Sequence, residues 1–530
     1  MKIIKYISLL MFIPVLFSCG DDVLELENLG VQTAEVYYND PDNALAGINS
    51  CYSAMMDDRY YGYGDIMSDD AIKGGSDMFD WSTRQEVREF SLNSGNAEIG
   101  STWNRYYTTI VRSNEIINSL PEATFDEELK NRIIGEAKFL RAYAYSRLVK
   151  LFGGIPIVKG DMDVDKLKKT RASVDEVYAL IKSDLDEAIE ALPLKSLYDP
   201  ADLGRATKGA ARALKARALM QESSYIYNDA LGVSDYPVSE DAIWDEVYRL
   251  TGDIIESGEY ALSDNFAVNF EMEGENNVES VFEIQHKTTS LEWGESVGNP
   301  RTVEMGNRDD WGWCFNLPTD ALYNAYSDTD PRRECTIYGQ EFDILYGETQ
   351  TWEKQEWTLN HEKTSNFVSS CRLNRKYALA PELRHGNHNN QPNNHRVIRY
   401  ADVLLMHAEA AYYKGLEEEA RSAVNQIRAR AENSTMPLGS KSGQTSNYTY
   451  DSYSGASVEP ITASGQELLE AIWHERRLEL AMEGRRYFDI VRTGRTHLLP
   501  YEDNYKQHEG LLPIPIGDVN TFELEQNKDY

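Results

Sequence analysis

Cysteine, positive charge and long apolar runs are all scarce in this chain of 530 residues. There are five cysteines. Cys51, Cys314, Cys335 and Cys371 stand at long, irregular spacings with no C-x-x-C among them, a pattern that argues against a zinc site. Buried free thiols and disulfides are equally compatible with those spacings. Lys and Arg total 53 against 87 Asp and Glu, a net charge of −34. A surface of that sign repels double-stranded nucleic acid and anionic lipid head groups, so neither is expected as a partner. A mean hydropathy of −0.54 excludes a multispanning helical membrane protein.

Catalytic signatures are missing as well. Gly62-Tyr63-Gly64 lacks the third glycine of a dinucleotide loop, and no Walker-type phosphate loop is present. His361, His474 and His508 each precede a Glu, yet none continues as H-E-x-x-H, and there is no G-x-S-x-G elbow. His385, His388 and His395 share an Asn-rich stretch that reads as a solvated polar loop rather than a metal site. No metal and no cofactor is expected. With 87 acids some carboxylate pair is always at hand, so such pairs carry no information about glycoside hydrolysis. The absences point to a binder rather than an enzyme.

What is present begins at the N-terminus. Lys2 and Lys5 precede an apolar stretch from Ile7 to Phe17, too short for the roughly 20 residues of a membrane-spanning helix and suited to a secretory signal peptide. It ends Leu16-Phe17-Ser18-Cys19-Gly20, which resembles a bacterial lipobox. Cys19 is therefore the expected lipidation site, and residues 1–18 the expected signal peptide. Their removal takes away Lys2 and Lys5 and no acid, which leaves −36. Several acyl chains at about 0.8 kcal/mol per buried CH₂ anchor firmly. Asp21-Asp22 follow at once, as in surface-exported lipoproteins. The expected location is the outer membrane, lipid-anchored and facing outward.

Helical periodicity dominates the rest. Trp103, Tyr107, Ile110, Asn114 and Ile117 form one stripe over 101–118. A second helix is predicted over about 131–151, stopped by Gly153-Gly154 and Pro156. Ser173 with Glu176 reads as a capping box opening a helix to about Ala191. Thr207 opens an Ala-rich helix to about Glu222. Further helices are predicted at about 241–256, 399–414, 417–431 and 465–483, several as antiparallel hairpins of tetratricopeptide-like type. Between about 257 and 398 the pattern weakens: Val281-Phe282-Glu283-Ile284 alternates like a short strand, and Trp, Gly, Asn and Pro crowd the remainder.

Ordered motifs run the length of the chain. Ala137-Lys138-Phe139-Leu140-Arg141-Ala142-Tyr143 leads to Leu151-Phe152-Gly153-Gly154-Ile155-Pro156, and Arg205-Ala206-Thr207 to Ala216-Arg217. Then come Arg399 to Ala410 with Asp402-Val403-Leu404-Leu405-Met406, and Asn425-Gln426-Ile427-Arg428. Glu475-Arg476-Arg477, Glu479, Glu483-Gly484-Arg485-Arg486, Asp489 and Arg492 precede Leu512-Pro513-Ile514-Pro515 and Gln526-Asn527. In these residues the chain resembles the SusD/RagB family of outer-membrane lipoproteins of the Bacteroidetes. Their charges read as scaffold: Glu475, Glu479 and Glu483 follow i,i+4 spacing on one predicted helix, beside arginines.

The resemblance implies a mostly α fold, with tetratricopeptide-like hairpins as a scaffold and an inserted loop-rich region carrying the ligand site. On that reading residues 19–530 form one unit, with scaffold at about 30–256 and 396–530 and ligand-binding loops at about 257–395 and 57–100. It further implies a non-catalytic glycan-binding protein that hands oligo- or polysaccharide to a SusC-like TonB-dependent transporter. A peptide-binding lid of the RagB type is the alternative, and a surface glycoside hydrolase a weaker one.

Sugars present apolar C–H faces and polar edges, so a site needs flat aromatics with directional hydrogen-bonding groups beside them. Two stretches hold both: Tyr60 to Arg84, and Trp293 to Phe315. Trp81, Trp293 and Trp311 are the expected stacking platform, with Trp313 the alternative to Trp311. Asp70, Arg84, Asn307 and Arg308 are the expected hydrogen-bonding residues. Trp103, Trp244 and Trp473, on helices, are expected in the core. The charge of −36 favours a neutral ligand unless local arginines offset it.

Overall fold

The computed structural model describes residues 33–56, 60–76, 79–160, 164–228, 231, 236–288, 298–306, 312–338, 344–345, 348–349, 372–380, 383–438, 449–452 and 455–530. Long helices form a continuous stack in which each packs on the next. In order these are Ala97–Ser119, Glu127–Phe152, Val174–Ala191, Lys208–Glu222 and Glu240–Glu256, then Tyr400–Tyr413 and Glu417–Glu432, with Gly465–Glu479 laid across the last two. The residues between Glu256 and Tyr400 are thus an insertion between two helices that touch each other.

The ends of these helices follow from named caps. Asn96 accepts from Glu98 N (2.9 Å) and Ile99 N (3.3 Å), which starts its helix four residues before the apolar stripe does. Ser173 and Glu176 make the reciprocal capping box, and Thr207 Oγ1 accepts from Ala210 N at 3.0 Å. Gly153, at φ +70°, closes the Glu127–Phe152 helix. Each buried Leu, Ile or Phe on the shared faces contributes about 1.5–3 kcal/mol, and Ile110, Leu140, Ile181, Leu214 and Leu405 all lie in one continuous core. Trp103 and Trp244 are buried in it, while Trp473 lies half-buried with Nε1 donating to Glu409 at 2.8 Å. Cys51, Cys314 and Cys335 are buried, and Cys371 lies outside the described residues.

One expectation needs correcting. Glu483 is not on the helix of Glu475 and Glu479: that helix ends at Glu479, and Met482 turns to φ +60°. The turn drops Glu483 beside the base of the insertion, where Ser280–Ile284 pairs antiparallel with His395–Arg399. Arg399 donates there to Glu279 (2.6 Å), Glu479 (2.9 Å) and Glu483 (2.7 Å), all of them buried. Arg430 joins Glu279 to Glu479, Arg332 joins Glu475 to Glu479, and Lys376 holds Glu483. This lattice is interior rather than surface, so each member depends on its partners: an ion left alone in such a setting costs several kcal/mol.

The chain end is fastened in the same manner. Asn527 Nδ2 donates to the carbonyls of Phe152 (3.0 Å) and Leu512 (2.6 Å), and Arg171 Nη2 donates to its Oδ1 at 2.8 Å.

Candidate functional site

The insertion meets the N-terminal part of the chain through a short antiparallel pair, Ala71–Gly74 with Phe315–Pro318. Its register, Ile72 against Leu317 and Gly74 against Phe315, holds two loop segments side by side. Two contacts make glycine obligatory at the turn that follows. A Cβ on Gly74 would lie 2.0 Å from the Cys314 carbonyl, and Gly75, at φ +91°, donates its N–H to that carbonyl at 2.8 Å. Asp80 folds the loop back by accepting from Ser76 N (2.8 Å) and Ser76 Oγ (3.0 Å), and the Lys73 ammonium donates to the Asp80 carbonyl.

This turn delivers an aromatic ledge. Phe79 is 77% exposed, the most open of the large apolar side chains among the described residues. Trp81 is half-buried and adopts φ +55°, ψ +53° immediately before the Ser82–Glu89 helix. A left-handed conformation at a bulky residue costs about 1–3 kcal/mol and persists only where its surroundings enforce it. Here they do. Trp81 Nε1 donates to Glu98 Oε2 at 2.9 Å, the Arg84 guanidinium lies 3.6 Å from the centre of the indole, and the Phe315 ring meets it edge-on at 5.0 Å. Arg84 is in turn held between Glu98 (3.0 Å) and Glu304 (3.5 Å). A buried carboxylate–guanidinium–carboxylate clamp thus fixes the angle of one half-open tryptophan.

Trp313 stands two residues before Phe315. Its backbone N–H donates to the Val303 carbonyl at 2.7 Å, and its half-buried ring has His388 6.4 Å away. Next to it Cys314 and Asn316 both take positive φ, so the strand does not alternate regularly there. Asn316 Nδ2 donates to Asp65 Oδ2 at 2.9 Å, and Asp65 Oδ1 accepts from Gly484 N at 2.8 Å. Burial pushes the Asp65 carboxyl up to about 7 despite these two donors.

The polar residues expected to reach a ligand lie elsewhere. Asp70 is 1% exposed, and its Oδ1 accepts from Arg477 Nε (2.8 Å) and Nη2 (2.6 Å). It ties the strand to the Gly465–Glu479 helix, with no face toward solvent. Arg84 is also 1% exposed; it supports Trp81 from behind. Trp293, Asn307, Arg308 and Trp311 lie outside the described residues, as does Cys19. His385, His388 and His395 do not converge: His395 is buried against the Tyr377 hydroxyl (3.2 Å), while His385 Nδ1 accepts from Asn387 N (3.1 Å). Among the described residues no group of three or more His, Cys, Asp or Glu is arranged to hold a metal. Glu98 and Glu304, which hold the clamp, carry no signal in the sequence, since each is one acid among 87.

The profile of the SusD family matches residues 278–529, and a second profile, described as SusD-like and starch-binding, associating with outer membrane, matches residues 46–220. SusD-like protein P2 of Formosa agariphila is 26% identical over 99% of this chain and all of its own length. A SusD-like protein of Bacteroides ovatus is 22% identical over 89% of this chain and 79% of its own. Among solved structures, a laminarin-binding SusD-like protein has a TM-score of 0.72 at 24% identity, covering 92% of this chain and 99% of that one. Surface glycan-binding protein A from Bacteroides thetaiotaomicron, solved in complex with laminarihexaose, has a TM-score of 0.71 at 22% identity with the same coverage. At these identities the structural likeness speaks for the fold. Taken with the two profiles and the full-length relatives, it leaves one assignment: the chain belongs to the SusD family.

Proposed function

We propose that this protein is a non-catalytic, cell-surface glycan-binding lipoprotein, anchored to the outer membrane through Cys19. It captures oligo- or polysaccharide on the ledge around Trp81 and passes it to a SusC-like TonB-dependent transporter. The observation that carries the reading is Trp81 itself. A half-open indole held in a costly backbone conformation by a buried ionic clamp is a pre-set flat surface, which is what the C–H face of a pyranose requires. Exposed Phe79 extends that surface, and Trp313 joins it from the neighbouring segment. Trp293, Trp311, Asn307 and Arg308 belong to the same stretch of sequence and are assigned to the site with them. Asp70 is left out because its carboxylate is committed to Arg477. One solved structure is named for laminarin, another holds laminarihexaose, and the profile over residues 46–220 is described as starch-binding, so neutral glucans are the first ligands to test.

The experiment is affinity electrophoresis of the mature protein in gels containing laminarin or starch, followed by calorimetry with laminarihexaose and maltohexaose. Retardation by one glucan, without appearance of reducing ends, and its loss in Trp81→Ala, support the proposal. Binding that survives in Trp81→Ala and Trp313→Ala would move the site elsewhere. Binding of a peptide library with no response to glycans would favour a peptide importer.

A further inference from the structure

A short buried helix, Arg301–Met305, holds both tryptophans of the ledge. Glu304 lies 3.5 Å from Arg84, whose guanidinium backs the Trp81 ring, and the Val303 carbonyl accepts from Trp313 N at 2.7 Å. The same helix is tied to a third segment, residues 384–391. Asn299, just ahead of the helix, donates from its backbone to the Gln391 carbonyl (2.8 Å) and from Nδ2 to the Asn393 carbonyl (2.7 Å). Thr302 Oγ1 donates to Asn393 Oδ1 at 3.0 Å.

That segment is wound around one side chain. Gln391 is fully buried, and its Nε2 donates to the carbonyls of His385 (3.0 Å), Asn387 (2.8 Å) and His388 (3.3 Å), while its Oε1 accepts from His385 N at 2.9 Å. Gly298 packs hard against it: a Cβ there would lie 2.3 Å from Asn390 Cα. With these carbonyls turned inward, His385, Asn387 and His388 are left half-buried, and the His388 ring meets Trp313 edge-on at 6.4 Å. Two polar groups of the loop have their direction settled by the backbone. His385 Nδ1 accepts from Asn387 N (3.1 Å), so the ring proton is on Nε2. Asn387 Oδ1 accepts from Asn389 N (3.2 Å), so its Nδ2 is the atom turned away from the turn. Among the described residues neither His385 Nε2 nor Asn387 Nδ2 has a protein partner.

We propose, on the reading of the Trp81 ledge as a glycan site, that the loop 385–389 is its hydrogen-bonding edge. His385 Nε2 and Asn387 Nδ2 donate to sugar hydroxyl oxygens while the rings of Trp81 and Trp313 receive the C–H face. Two uncharged donors of fixed direction select hydroxyl positions on a neutral saccharide, and bringing them against it costs far less desolvation than a carboxylate or ammonium would. Order in the loop before binding also lowers the entropy lost on binding. The pair supplies what Asp70 and Arg84, both engaged with interior partners, do not. Gln391 is the positioning residue: it fixes both donors through the backbone from a place no ligand reaches.

The test is calorimetry of the mature protein with whichever of laminarihexaose and maltohexaose binds wild type more tightly. His385→Asn keeps an acceptor for the N–H two residues on but lacks the reach of Nε2, and Asn387→Ser keeps an acceptor for Asn389 N but lacks the amide. Each is expected to bind about threefold to tenfold more weakly, the range for one neutral hydrogen bond, with a melting midpoint within about 2 °C of wild type. A second measurement needs no variant: saturating hexasaccharide should slow carbethoxylation of His385 by diethyl pyrocarbonate, read by peptide mass. Affinity within about twofold of wild type in both variants, or no protection of His385, with binding lost in Trp81→Ala, overturns the loop as the polar edge and leaves the ledge standing. Weakening in both variants with binding intact in Trp81→Ala would separate the loop from the ledge and overturn the proposal as well. Wild type that binds neither hexasaccharide overturns the ledge as a glucan site, and this edge with it.

Discussion

Replacing Glu98 by Gln should disable the tryptophan ledge without touching any group that faces a ligand. Glu98 Oε2 accepts from Trp81 Nε1 (2.9 Å), while Oε1 accepts from Arg84 Nη2 (3.0 Å) and Nε (3.3 Å). A glutamine has only one acceptor oxygen. Its amide nitrogen must therefore face either the indole N–H or the guanidinium, donor against donor, in a place that is 7% exposed. Hydrogen bonds to charged groups are worth about 1.5–3 kcal/mol, and the group left unsatisfied adds its own desolvation cost. A loss of about 2–3 kcal/mol in stability is expected, and Trp81, already in a costly backbone conformation, is released from its fixed angle. Loss of that preorganisation should weaken glucan binding by about tenfold, or roughly 1.4 kcal/mol. Urea denaturation and calorimetry with the best-binding hexasaccharide measure the two effects. The control is Trp81→Phe, whose ring has no N–H. In that background the glutamine can turn its oxygen wholly to Arg84, so the second substitution should cost at least about 1 kcal/mol less. Equal costs in the two backgrounds would refute the clamp as described.

Three further outcomes follow from buried groups. Asp65 has a carboxyl raised to about 7 against about 3.9 in an unfolded chain, so between those values the folded protein holds a proton that the unfolded one has released. Its contribution to stability therefore falls as pH rises from about 4 to 7. Asp65→Asn should flatten the melting temperature between pH 5 and 7, because asparagine still accepts from Gly484 N and can donate to the unpartnered Asn316 Oδ1 once that amide flips; unchanged slopes would count against it. Glu479→Ala strips an acceptor shared by Arg332, Arg399 and Arg430 and should cost about 3–5 kcal/mol by denaturant titration, whereas Glu509→Ala, opposite solvent-exposed Lys528, should cost under about 1 kcal/mol. Asn527→Ala leaves the Phe152 and Leu512 carbonyls without that donor and should cost about 1–3 kcal/mol, with earlier cleavage of the C-terminal segment in limited proteolysis.

The helices were legible because a 3.6-residue apolar period and a cap are both local. Ser173 with Glu176 and Thr207 with Ala210 each settle a boundary within four residues. The departure at Glu483 has a local cause that the spacing hides: the i,i+4 rhythm of acids continues for one turn after the backbone has left the helix at Leu480. The polar part of the site was not legible, for a different reason. Asp70 and Arg84 have the right chemistry in the right loop, but Asp70 finds its partner 407 residues away, and Arg84 finds one of its acids on the inserted segment. Which loop charges are already satisfied is a property of tertiary pairing, and pattern along the chain carries no trace of it. That Trp81 keeps an open face was legible for the converse reason: a large aromatic among polar loop residues has few neighbours in sequence to bury it.

The acidity of the chain takes on a different meaning once the arginines are placed. Arg84, Arg332, Arg399, Arg430, Arg476 and Arg492 are all buried and paired, so much of the positive charge faces inward. Their partners are buried acids, so this pairing adds nothing to the surface charge; the net charge of −34 still repels anionic polymers at distances up to the Debye length, about 8 Å at physiological salt. On the proposed function neutral glucans meet no such repulsion at the Trp81 ledge, where binding would rest on ring stacking. That reading makes a prediction about salt. Raising ionic strength with chloride should leave the dissociation constant of a neutral hexasaccharide, followed by calorimetry, unchanged within about twofold, because stacking does not depend on Coulomb attraction. A steep loss of affinity with salt would mean that charge pairing, and not the tryptophan ledge, carries the sugar.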